Sequence, residues 1–197
     1  MKKKNVIIIF GFSGAGKSTL ADRLGKRLRL RVVHPSSILR ELLQKKTVQI
    51  QKSRAGKGFW ESAAGVRLFK DRLKEKRPMD MVSDRILLRE LAKGEIVMDS
   101  WTMPWLSRHG FKIYLRTSSE ARAHRVAKRS RLTLAQAKRI VRMKDEQTRK
   151  LNVRLYGFDI KKDIGVFDLI VDTDDMTAAK VLRVVDDAYR SRVGEKK

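Results

Sequence analysis

The run GFSGAGKST, residues 11–19, decides how the rest of the chain is read. A glycine, four free positions, Gly-Lys and a hydroxyl residue make the spacing of a phosphate-binding loop. Before it stands NVIIIF, residues 5–10, an apolar β-branched segment of strand length. After it, Leu20, Leu24 and Leu28 fall on one face of a helical pattern. Gly11, Gly14 and Gly16 let the backbone turn tightly and bring its N–H groups against phosphate oxygens. The loop as a whole, Gly11, Phe12, Ser13, Gly14, Ala15, Gly16, Lys17, Ser18 and Thr19, is the expected nucleotide seat. A helix opening near Lys17 adds the positive end of its dipole. Lys17 can reach the β- and γ-phosphates of a bound nucleotide, and the Ser18 hydroxyl can ligate magnesium. A glycine-rich turn that binds nothing is the alternative. The spacing, the Lys-Ser pair and both flanks speak against it together.

The chain has 197 residues, enough for one domain with a real core, and none is cysteine. Disulfides, zinc thiolates and a cysteine nucleophile are therefore excluded, and a reducing cytosol is allowed. The basic start at Met1 leads into the loop rather than to a cleavage site, and no stretch approaches a membrane span. A cytoplasmic monomer is expected. The formal net charge is +25, from 47 Lys and Arg against 22 Asp and Glu. Nucleic-acid binding is one reading of that excess. A basic proteome plus a site for polyanionic nucleotides is the other. It is preferred because the basic residues are spread along the whole chain.

Arg31 to His34 reads as a second strand that Pro35 ends, with Ser36 capping a helix through Ile38, Leu39, Leu42 and Leu43. Arg40 in that helix is either solvated or a fork for a second phosphate. Residues 47–79 are polar and broken by glycines, and are read as a mobile flap over an acceptor site or as a peripheral helical layer. Asp80 and Asp84 share a helix face. They either bond a base or ribose, or cap and solvate. Glu95 to Asp99 reads as a buried strand ending in an acid that can hold magnesium through water. Trp101 and Trp105 follow, lining a nucleobase pocket or simply packing. Phe111 to Leu115 and Phe167 to Asp172 are the remaining strands. A basic helical arm from Ser118 to about Leu155 is broken near residues 130–132, where Thr133 and Gln136 fit a capping box. Alternating strands and helices, with non-alternating apolar strands, predict a three-layer α/β fold. A five-stranded parallel sheet is covered on both faces, with the site at the carboxyl ends of the strands.

Beyond the loop, several segments carry a resemblance: SILRE at 37–41, Asp80 and Asp84 before a helix, IVMDS at 96–100 and GFKIYL at 110–115. RVAKR at 125–129, LYGFD at 155–159 and FDLIVDT at 167–173 extend it over most of the chain. The sequence resembles the nucleoside monophosphate kinases, and within them the archaeal type of cytidylate kinase. That resemblance implies a P-loop nucleoside-kinase fold in one domain, 1–197. An acceptor-binding helical region would span about 35–94 and a basic helical lid about 117–160. It implies Lys17 and the loop amides on ATP, and Arg40 on the acceptor phosphate. Asp80, Asp84 and Trp101 would lie on the acceptor side, with Ser18 and Asp99 on magnesium. Arg129 and Arg142 of the lid would lie near the transferring group. Three departures fall on the acceptor side: His34-Pro35-Ser36 replaces a small-residue turn, Ser100-Trp101 stands where the family has Gly-Arg, and the segment 47–79 is longer than usual. The expected activity is phosphoryl transfer from ATP to CMP, dCMP or UMP. The rivals are an RNA-associated P-loop ATPase and a P-loop kinase acting on another small molecule.

Overall fold

The strands form where β-branched and aromatic residues run together, and every one of them pairs in parallel. The structure is a computed structural model that describes residues 5–46, 61–71 and 79–194. Strands β1 (Val6–Phe10), β2 (Arg31–Val33), β3 (Ile96–Asp99), β4 (Phe111–Arg116) and β5 (Leu169–Asp172) make one sheet in the order β2-β3-β1-β4-β5. β1 lies at the centre, with Val6 opposite Ile96 and Ile7 opposite Phe111. The phosphate loop leaves its carboxyl end.

Helices cover both faces, as non-alternating apolar strands require. On one face Ile7, Ile9, Val97, Ile113 and Leu115 pack against Leu20 and Leu24 of α1 (Lys17–Leu28), and against Val181, Val185 and Tyr189 of α8 (Ala178–Val193). On the other, Val6, Ile8, Ile96 and Met98 meet Leu87 and Leu91 of α4 (Met79–Lys93) and Met103 of the short α5 (Met103–Leu106). This is a three-layer α/β fold with a phosphate loop after its central strand.

α2 (Pro35–Lys46) follows β2, and α3 (Ala63–Asp71) precedes α4. α6 (Ser119–Ser130) and α7 (Leu134–Tyr156) form a helical hairpin with its own small core of Ala123, Val126, Ala137 and Val141. Both sides of the Thr133–Gln136 capping box form, so the break falls where the sequence places it. Arg131 turns the chain in the left-handed region at φ 53°.

Several boundaries differ from the sequence reading: β1 begins at Val6, β3 at Ile96, and β4 runs on to Arg116. Pro35 opens α2 instead of ending β2, because its fixed φ suits the first helical position and its missing N–H costs nothing there. β2 stops at Val33, which leaves His34 in the turn. β5 begins at Leu169, since residues 164–166 form a 3₁₀ turn ahead of it. Most of the expected flap, 47–60 and 72–78, lies outside the described residues. No described helix is long and apolar enough to cross a membrane.

Candidate functional site

Gly16 caps α1 at φ 95°, and Gly14 sits at φ 86°. A Cβ on Gly14 would also stand 2.8 Å from the carbonyl oxygen of Arg122, so conformation and space both demand glycine there. Among the described residues no side chain caps α1, and its first turn carries no acid. Its opening N–H groups are therefore left for an anion, with the positive helix end behind them. That fits the triphosphate of ATP.

Lys17 starts α1. Its ammonium donates to the carbonyl of Phe12 at 3.4 Å and lies 5.0 Å over the ring of Trp101. Burial pushes its pKa down to about 8; Asp99 and Asp145 pull it back up, while Arg122 and Arg129 push it down again.

Asp99 ends β3, directly beside β1, which is why it faces the loop. Its Oδ2 accepts from the Ser18 hydroxyl at 2.6 Å. Its Oδ1 meets Nδ1 of His34 at 2.7 Å, and Nε2 of His34 lies 3.0 Å from Asp22. A serine hydroxyl and a carboxylate in contact are the oxygen donors that Mg2+ takes when it also keeps waters and phosphate oxygens, so the pair fits that ion. His34 is the unexpected member. Its hydrogen bond to Asp99, first, and its contacts to Asp22 raise its pKa to about 9 against the effect of burial, so a positive charge sits behind Asp99.

The hairpin reaches the loop through Arg122, which the sequence reading passed over. Buried, it donates to the carbonyls of Ser13 and Thr117, pairs with Asp145 of α7 at 2.8 Å and lies over the ring of Phe12. Burial raises the pKa of Asp145, and Arg122 opposes the rise. Arg129 pairs with Glu61 at 2.9 Å. Arg142 lines a cleft of about 1010 Å³ that Phe12 borders together with Tyr114, Arg122 and Lys161. Two other arginines of the arm are committed elsewhere. Arg125 donates to the carbonyl of Thr173, and Arg149 grips Asp159 with two nitrogens.

Beside the loop, Trp101 belongs to a ring cluster with Phe10 and Phe12 at 6.2 and 5.7 Å. Trp105, Phe158 and Tyr156 stack face to face at 4.8 and 5.7 Å, each pair 7° from parallel. The Tyr156 hydroxyl donates to Asp84 at 2.6 Å, and Thr102 donates to the other oxygen of that acid at 2.8 Å. Burial, and then the Asp84 charge, raise the Tyr156 pKa well above the ordinary phenol value. Asp84 is thus a buried acid bonded within the protein. Asp80 lies in the first turn of α4, half-buried. Arg40 lies on α2, and its side chain is outside the described part.

The cytidylate kinase-like family matches residues 6–175, from the first strand through the last. The chain belongs to that family. Among its relatives, cytidylate kinase of Pyrobaculum islandicum is 31% identical over 91% of this chain and 89% of its own. That of Sulfurisphaera tokodaii is 28% identical over 92% and 93%. That of Pyrococcus horikoshii is 27% identical over 93% and 88%. Solved structures bear on the fold alone. A protein of Eubacterium ventriosum superposes with a TM-score of 0.62 at 13% identity, covering 96% of this chain and 99% of that one. Shikimate kinase of Bacteroides thetaiotaomicron gives 0.56 at 14%, covering 95% and 99%.

Within this cytidylate kinase-like chain, the structure brings Lys17, Ser18, Asp99 and Trp101 together. It sets Arg129 close enough to shift Lys17, and Arg142 in the adjoining cleft. Arg122, Asp145 and His34, which surround the loop and Asp99, went unread in the sequence as members of the site. For Asp145 the signal was the charged run Lys144-Asp145-Glu146 on α7, which a solvated helix face shows equally well; Arg122 and His34 carried no local signal.

Proposed function

We propose that the chain transfers the γ-phosphoryl group of ATP to CMP, giving ADP and CDP, with Mg2+ at Ser18 and Asp99. The family makes it a nucleoside monophosphate kinase; the base, the donor and the ion are the proposed part. The observation that carries the reading is the contact of Ser18 with Asp99 beside Lys17, at the open start of α1. Support for cytosine comes from the relatives that are called cytidylate kinases. dCMP and UMP are the nearest alternatives.

In this reading the loop amides and Lys17 hold the β- and γ-phosphates. Arg40 forks the acceptor phosphate. Asp80, Asp84 and Trp101 serve the acceptor nucleoside, Asp84 through its bonds to Tyr156 and Thr102. An acceptor phosphate oxygen forms the new P–O bond as the bond to ADP breaks, roughly in line. The acceptor phosphate, with its second pKa near 6, is already largely deprotonated at neutral pH, so no general base is needed. Mg2+ would supply charge neutralisation across the β- and γ-oxygens. Catalysis then rests on alignment and on cations fixed where charge develops, which are Lys17, Arg129 and Arg142. Closure of the hairpin over the loop excludes water and suppresses hydrolysis of ATP.

The test is ADP release with CMP, dCMP, UMP, AMP, shikimate or single-stranded RNA as the second component. Strong stimulation by CMP supports the reading. Stimulation by another monophosphate alone reassigns the base, and stimulation by RNA alone replaces the kinase with an RNA-associated ATPase.

A further inference from the structure

Glu61 stands just ahead of α3, in the acceptor half of the sequence, yet its partners are in the hairpin. Its Oε1 accepts from Nζ of Lys144 on α7 at 2.6 Å, and its Oε2 meets Nη2 of Arg129, near the end of α6, at 2.9 Å. The two cations differ in exposure. The Lys144 side chain is 4% exposed and that of Arg129 is 41% exposed. Lys144 also lies over the ring of Phe69 on α3, a second tie between α3 and α7. Lys144 therefore fixes the carboxylate, and the carboxylate fixes the arginine. Among the described residues Glu61 pairs with Arg129, whose side chain stays partly exposed and so keeps an edge open to an anion. Two cations meet on this carboxylate, which suits a site that must receive a phosphoryl group. Val126 of α6 packs on the phosphate loop, where a Cβ on Gly14 would stand 3.1 Å from its Cγ2, and Arg129 lies one helical turn further along α6.

We propose that Glu61 is a positioning residue for phosphoryl transfer: anchored by Lys144, it holds Arg129 so that the free edge of the guanidinium faces the transferring group. The proposal rests on the kinase reading above and deepens it. A long arginine that is already ordered loses less freedom when it meets the developing charge. The contact also joins the acceptor arm to the lid arm, so the position of one is passed to the other. Burial alone would raise the Glu61 pKa, but Lys144 and Arg129 outweigh it and keep the carboxyl below its ordinary value, so the group is an anion at neutral pH.

The experiment is steady-state kinetics with ATP and CMP on the full chain, with thermal unfolding of every variant. The variants are Glu61→Gln, Arg129→Ala, the double Glu61→Gln/Arg129→Ala, and Glu61→Gln/Lys144→Met. Glu61→Gln is expected to lower kcat about tenfold while both KM values stay within about twofold. In the Arg129→Ala background it should lower kcat no further, since residues acting as a unit are not additive. Glu61→Gln alone takes a carboxylate away from a buried ammonium. Adding Lys144→Met removes that burden, so the melting temperature should recover while kcat stays at the Glu61→Gln level. Recovery of kcat along with stability would make Glu61 a structural residue and overturn the proposal. Multiplicative losses in the double with Arg129→Ala, or full activity in Arg129→Ala itself, would do the same. A wild-type chain that phosphorylates no monophosphate would sink the kinase reading, and this proposal with it; active wild type with any of those variant results sinks the proposal alone.

Discussion

A lysine ammonium held by one long bond to a carbonyl and by an indole face is weakly tethered, and Lys17 has that company in Phe12 and Trp101. It can leave both for phosphate oxygens at little cost. Lys17→Ala should therefore lower turnover by about 10²–10³-fold or more, the scale for losing one preorganised charge partner. The circular dichroism spectrum should stay that of the wild type. Near-normal turnover in that folded variant would remove the role given to the loop. Arg40 is argued from chemistry of the same kind. Lysine cannot reproduce a bidentate grip, so Arg40→Lys should raise the KM for CMP about tenfold and leave that for ATP nearly unchanged. Equal changes in the two constants would show that Arg40 holds something else.

At the scale of elements, α7 ends on a staple. Arg149 donates to both oxygens of Asp159 across the left-handed turn at Gly157, and the bonds pull the Asp159 pKa from the usual 3.8 to about 2. A carboxyl whose folded pKa is depressed stabilises the fold above its unfolded value and loses that contribution as pH falls toward the folded one. Asp159→Asn should thus be less stable than wild type above pH 4, and the difference should close between about pH 4 and 2. Urea midpoints across that range check it; a gap that stays constant would mean the staple contributes no charge-dependent stability. The strands were legible in the sequence because burial on both faces writes an uninterrupted apolar run, as in Val6 to Phe10. The hairpin was legible because Thr133 and Gln136 are a local signal. Pro35 was misread because it suits the end of a strand and the start of a helix equally. The Glu61–Lys144 and Tyr156–Asp84 bonds were not legible at all. They join residues 83 and 72 positions apart, and only the folded topology pairs them.

Across the whole molecule, the charge of +25 has to be reconciled with a small-molecule site. Several of its cations are already committed within the fold, among them Arg27 and Arg190 on buried Asp186, Arg122 on Asp145, and Arg192 on Asp168. Whatever affinity for RNA the remainder confers comes from phosphate neutralisation and must fall steeply with salt. Filter binding of single-stranded RNA should accordingly be weak at about 150 mM salt, and RNA should leave ADP release unstimulated there. Tight, salt-resistant binding would mean that a polymer site has been missed.

The central claim is direct transfer from ATP on the phosphate loop to a monophosphate bound beside it. ATP labelled in its γ-phosphoryl group, incubated with CMP and Mg2+, tests it in one step, because the label can be followed to its destination. The account predicts label in the β-position of CDP, none on the protein, and loss of that signal in Lys17→Ala. Label appearing as inorganic phosphate at the same rate with or without CMP, or retained on the chain, would contradict it.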